Sequence, residues 1–75
     1  MGERDVSEAG GRARAAIDEL AASPDPAAFQ ELLALSGHLG TALGASARTL
    51  AEHGSWSQVA GYAGTSKQAA WARWH

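Results

Sequence analysis

Four consecutive polar residues near the end of the chain carry the side chains best suited to bind a charged partner: Thr65, Ser66, Lys67 and Gln68. Hydroxyl groups at a helix N-terminus suit anionic oxygens, because free backbone N–H groups and the helix dipole favour negative charge there. Lys67 adds a positive charge, and the Gln68 amide donates and accepts at the same time. This segment is therefore the first candidate for a binding site.

Two N-terminal capping signals predict the helices that position this segment. Residues 55–58 (SWSQ) and 65–68 (TSKQ) both match the capping box, in which a Ser or Thr is followed three residues later by Glu or Gln. Gly64 precedes the second box and can take the positive φ of a sharp turn. We therefore expect one helix to end near Ala63 and a second to begin at Ser66 after a three-residue turn.

This pair of helices resembles the helix-turn-helix superfamily of DNA-binding proteins over residues 55–75. The stretch GTSKQAAWARW is also similar to the recognition helices of small actinobacterial regulators and nucleoid-associated proteins. Arg73 departs from the family pattern, which usually has a buried aliphatic residue there, and Trp74 is expected to supply that anchor. The resemblance is carried by a turn glycine, small residues and expected inward-facing positions: Val59, Ala60, Ala63, Gly64, Ser66 and Ala70.

The resemblance implies that the second helix enters the major groove of double-stranded DNA with its N-terminal residues at the base edges. Gln68 then pairs with adenine, and Lys67 reaches guanine acceptors or a phosphate. The hydroxyls of Thr65 and Ser66 suit phosphate oxygens. The remaining expected DNA-binding residues are Ser55, Ser57, Trp71 and Arg73.

Two of these residues have alternative interpretations. Trp71 either contacts DNA or packs against the preceding helices or a partner subunit. Arg73 either binds a phosphate or pairs with an acid such as Glu52. Trp56 and Trp74 are expected in the core.

The middle of the chain has apolar and small residues at alternating spacings of three and four, from Phe29 to Leu50, which is typical of a coiled-coil seam. The capping pair Asp25-Pro26 begins this stretch. The seam packs either within the same domain or against a second subunit. For the second case the expected dimer contacts are Phe29, Leu32, Leu39 and Leu43.

Three glycines interrupt this stretch, at positions 37, 40 and 44. Each costs up to ~1 kcal/mol in a helix interior. They predict a break into helices 27–37 and 41–53, with a surface for close backbone approach as the alternative. Before Ser23-Pro24, helical spacing predicts a first helix, preceded by a flexible tail over residues 1–10. The prediction is thus an all-α fold, a small bundle of four or five helices forming one domain over residues 11–75.

Charge and composition exclude several classes of protein. Residues 1–31 contain three basic and seven acidic residues, a net charge of -4, whereas residues 32–75 contain three and one, a net charge of +2. The absence of cysteine and of any His or carboxylate spacing typical of a metal site predicts no metal and no cofactor. No nucleophile with an oriented base is evident, so neither an enzyme nor a small-molecule substrate is expected. A membrane-spanning segment is not expected either.

These observations and the resemblance predict a cytoplasmic, sequence-reading DNA-binding protein of the nucleoid, acting as a homodimer. A nucleoid-associated protein is favoured over a local transcription regulator, because no effector-sensing domain is expected in so short a chain. The alternative is a protein-interaction module, an adaptor or antitoxin-like partner, that uses the same helix pair.

Overall fold

In the computed structural model, which describes residues 2–75, the described part of the chain forms four α-helices and no strand. The predicted all-α class is therefore confirmed. The chain divides into two compact units at the boundary between Ser36 and Gly37. The helices are α1 (Glu3–Ala22), α2 (Pro26–His53), α3 (Trp56–Ala63) and α4 (Lys67–Trp74).

Helix α1 begins much earlier than predicted, at Glu3. Residues 3–10 are therefore helical, and the prediction that the first helix starts only after the flexible tail over residues 1–10 is wrong. The first turn is acidic, which suits the positive end of the helix dipole. Arg4 Nε also lies 3.9 Å from Glu8 Oε1, an exposed pair one turn apart. These local interactions favour a helix in this segment.

The junction between α1 and α2 lies where the sequence predicts it. The Ser23 N–H donates to the Leu20 carbonyl at 3.1 Å, and α1 ends at this bond. Asp25 Oδ1 accepts from the Ala27 N–H at 2.9 Å, so this carboxylate satisfies one free donor of the next helix. Pro26 then occupies the first helical position, where its missing N–H costs nothing.

Helix α2 is continuous through its three glycines, so the predicted break between residues 37 and 41 is wrong. Thr41 Oγ1 donates to the Gly37 carbonyl at 3.3 Å, a bond along the helix. None of the side-chain capping bonds in residues 2–75 lies between residues 37 and 44, so no side-chain cap marks the start of a new helix there. The helical hydrogen bonds therefore continue, and at 28 residues α2 is about 42 Å long.

The core of the second unit is small and rich in alanine. Ala70 is 0% exposed, which lets α3 and α4 approach closely. Trp56 and Trp74 are half-buried against this core, in agreement with prediction, whereas Ala63, expected on the inner face, is exposed. The buried residues of the cluster are Ala47, Val59, Ala60 and Ala70.

Candidate functional site

The turn between α3 and α4 is fixed by two backbone hydrogen bonds and one glycine. Gly64 has φ 68° and ψ 35°, the left-handed conformation that glycine adopts at low cost. The Thr65 N–H donates to the Ala60 carbonyl at 3.0 Å, and the Gly64 N–H donates to the Gly61 carbonyl at 3.4 Å. This is the Schellman pattern, which satisfies the free carbonyls at a helix end. The direction in which the chain enters α4 is therefore set by backbone geometry.

The N-cap of α4 is Ser66 and not Thr65. Ser66 Oγ accepts from the Ala69 N–H at 3.2 Å, and α4 begins at Lys67. Thr65 was expected to cap this helix, but its backbone already belongs to the end of α3, through the bond to Ala60. The cap therefore lies one residue later, and both hydroxyl-bearing residues are exposed beside the start of α4.

The start of α3 forms the serine half of its predicted capping box. Ser55 Oγ accepts from the Gln58 N–H at 3.2 Å. In the described residues the Gln58 side chain lies instead over Gly54, and its Oε1 occupies the space that a Cβ at position 54 would need. Ser55 and Ser57 are both exposed.

Helix α4 is divided into an inward and an outward side, as predicted. Ala70 is fully buried and Trp74 is half-buried, whereas Lys67 and Gln68 are exposed and Trp71 is 50% exposed. The capped first turn of α4 therefore presents a cation, an amide and two nearby hydroxyls to solvent. An arrangement of this kind can bind a surface that carries anionic oxygens together with paired donors and acceptors.

Trp71 stacks on His75, the C-cap residue of its own helix. Its ring stacks on the His75 ring with centroids 3.9 Å apart and planes 6° from parallel. His75 Nδ1 also hydrogen-bonds to the Trp71 carbonyl. The stack fixes the indole orientation and leaves half of Trp71 open to a partner.

Arg73 does not pair with Glu52. The ion pair present among the described residues is the one between Arg4 and Glu8. The Arg73 guanidinium carbon lies 5.2 Å from the centroid of the Trp74 ring, a cation–π distance. Arg73 is exposed, and its charge remains available to an anion.

Arg48 holds the far end of α4, a role that sequence reasoning missed. Its Nη1 donates to the Trp74 carbonyl at 3.0 Å. Gly44 provides the necessary space, since a Cβ at that position would lie 3.1 Å from the same nitrogen. The two residues joined are 26 positions apart, so local patterns alone did not reveal the bond.

The four predicted dimer contacts have different environments. Phe29 is 64% exposed, Leu39 58% and Leu43 45%, whereas Leu32 is half-buried. Tyr62, which the sequence did not single out, is 76% exposed. Three of the four predicted contacts are therefore accessible to a partner.

Residues 2–75 are the part of the chain that the structure describes. They contain no group of three or more His, Asp or Glu side chains placed to hold a metal ion. Nor does any of these helices combine the length and apolar character required to cross a membrane. In comparisons with known proteins, no family model matches the chain, and neither curated proteins nor solved structures give a match.

Proposed function

We propose that α3 and α4 form a helix-turn-helix unit that reads double-stranded DNA, with α4 in the major groove. The observation that carries this proposal is the division of α4, which exposes Lys67 and Gln68 at its capped start while Ala70 is fully buried. A recognition helix contacts bases through its N-terminal residues and needs a buried side that fixes it to the supporting helix.

Each exposed group of this first turn has a partner on a DNA duplex. The Gln68 amide matches the donor and acceptor that adenine presents in the major groove. Lys67 suits guanine acceptors or a phosphate. The hydroxyl oxygens of Ser55 and Ser66 each accept a capping bond. The hydroxyl hydrogen of each serine remains able to donate to a phosphate oxygen. Trp71 suits a thymine methyl group.

We infer that a homodimer binds the DNA. One recognition helix spans few base pairs, and the basic residues of positions 32–75 are Arg48, Lys67 and Arg73, of which Arg48 is hydrogen-bonded to Trp74. The phosphate contribution from one copy is therefore limited. Two copies on half-sites about 34–36 Å apart double the contacts. A short site is frequent in a genome, which favours a nucleoid-associated protein over a local regulator.

The proposal is tested by fluorescence anisotropy with a labelled pool of mixed-sequence duplexes at two salt concentrations, followed by sequencing of the retained duplexes. We expect saturable binding that weakens steeply with salt and enriches a short motif. Lys67→Ala should weaken binding to all sequences and reduce the salt slope by about one. Gln68→Ala should relax the preference at one base pair by about 1–3 kcal/mol.

Arg12→Ala is the matched control, because it removes an equally exposed cation from α1. An equal loss of affinity in Lys67→Ala and Arg12→Ala would mean that net charge and not α4 drives binding. If no duplex binds even at low salt, the proposal fails, and the protein-interaction module becomes the better interpretation of the same helix pair.

A further inference from the structure

The second unit, Gly37–His75, buries too little apolar surface for its size. Three of the four buried residues in its core are alanines, and no large side chain among residues 2–75 is fully buried. Helical units below about 40 residues are usually stabilised by disulfides, metals or association. The chain contains no cysteine, and the described residues contain no metal-binding cluster. Association with another chain is the remaining way to stabilise this unit.

The three leucines of this unit lie on its surface along one side of α2. Leu39, Leu43, Ser46 and Leu50 are spaced by four, three and four residues, which is the pattern of a coiled-coil seam. The exposed fractions of the three leucines are 58%, 45% and 44%. Exposed leucines at this spacing present one continuous stripe to a partner helix.

An apolar groove of about 160 Å³ lies beside this stripe. Leu43, Leu50, Val59 and Trp74 are among its lining residues. Tyr62, at 76% exposed, also lines it and projects into solvent. One surface therefore carries both a groove and a projecting aromatic ring, and a twofold interface requires these two complementary features on the same patch.

The charges around the stripe favour a second copy over a different protein. Residues 37–47 contain no Asp, Glu, Lys or Arg. In helix pairs the choice of a different partner is set mainly by charged residues flanking the seam. The charged residues nearest the stripe, Arg48 and Glu52, flank Leu50 and have opposite signs, so two copies approach without net repulsion.

We propose that a second copy of this chain covers the groove, in a twofold dimer in which the leucine stripes pack together and each Tyr62 contacts the partner's groove. A standard interface takes about 800 Å² from each partner, so the stripe, Tyr62 and the groove all have to be covered for a stable dimer. This inference does not depend on DNA binding, because it follows from burial and shape.

Sedimentation equilibrium of the full chain without DNA tests the proposal. We expect the wild type to dimerise reversibly and Leu43→Glu to raise the dimer dissociation constant by about 100-fold or more, because a carboxylate would be buried without a partner. Leu33→Glu is the matched control, since Leu33 is 59% exposed on the same helix but lies in the first unit. It should leave the dissociation constant unchanged.

Circular dichroism of each variant checks that the helices are retained, which is expected because Leu43 is exposed in the single chain. Tyr62→Ala provides a second measurement on α3 and should also weaken the dimer. A wild-type protein that stays monomeric overturns the proposal, as does a Leu43→Glu variant that dimerises like the wild type. If Leu33→Glu weakens the dimer as much as Leu43→Glu, the interface lies elsewhere and this placement is wrong.

Discussion

Glycine has opposite consequences in two regions of this molecule. Helix α2 continues through Gly37 and Gly40, where the space that a side chain would occupy is open. The chain turns sharply at Gly64, the residue with positive φ among those described, and a new helix begins after it. Both regions contain small residues in a helical pattern, so glycine content alone does not decide where a helix ends.

The hydrogen bonds on either side of the glycine explain the difference. At Gly64 the backbone forms the Schellman bonds, and Ser66 then caps the next helix. Near Gly37 the Thr41 hydroxyl donates back along the same helix, to the Gly37 carbonyl. A glycine lowers the cost of leaving the helix, and the capping groups after it decide whether the chain does so.

Thr41→Pro should interrupt α2 next to Gly37, as the chain is interrupted at Gly64. Among these variants it has the largest expected effect on stability. Proline at position 41 loses the N–H bond to the Gly37 carbonyl and clashes with that carbonyl, which costs about 3 kcal/mol or more in the free energy of unfolding. Urea unfolding followed by circular dichroism measures it. Thr41→Ala is the control, with an expected change within about 0.5 kcal/mol. A loss below about 1 kcal/mol in Thr41→Pro would indicate that α2 is already broken there in solution.

The same substitution at two glycines should change stability in opposite directions. Gly64→Ala forces a side chain into the left-handed region and should destabilise the protein by about 1–2 kcal/mol. Gly37→Ala adds a methyl group to open space in a helix and should stabilise it by up to ~1 kcal/mol. Thermal unfolding of both variants provides the comparison. Stability changes of the same sign in the two variants would contradict the proposed difference between Gly37 and Gly64.

The capping residue after Gly64 has the smallest expected effect. Ser66→Ala removes the bond to the Ala69 N–H and should cost about 1 kcal/mol. Thr65→Ala should cost only a few tenths, because Thr65 holds the turn through its backbone. Chemical unfolding of the two variants ranks them. A larger loss of stability in Thr65→Ala than in Ser66→Ala would indicate that Thr65, the residue predicted from the sequence, is the N-cap.

The parts of the fold that could be predicted from sequence depend on a few adjacent residues. The α1–α2 junction follows from Ser23 to Pro26, and the limits of α3 follow from Ser55 and Gly64. The continuity of α2 could not be predicted in this way, because helix propagation depends on cooperative hydrogen bonds over many residues. The early start of α1 was missed for a different reason, because its acidic first turn and its Arg4–Glu8 pair do not show in the spacing of apolar residues.

The candidate site was predictable to a similar degree. Helical periodicity correctly divided α4 into the buried Ala70 side and the exposed side of Lys67 and Gln68. The position of the cap was wrong by one residue, since Thr65 completes the preceding turn and the capping box alone does not reveal this. The Arg48–Trp74 bond joins residues far apart in sequence and depends on tertiary packing.

The Arg48–Trp74 bond also limits how the helix pair can be used in protein engineering. The last turn of α4 receives a hydrogen bond to its Trp74 carbonyl from a residue on α2, in the space left by Gly44. Transplanting residues 55–75 onto another scaffold would therefore carry the N-terminal caps and the turn but would leave this carbonyl without its donor. The smallest portable segment begins before Gly44, and α2 is as much a part of the grafted element as α4.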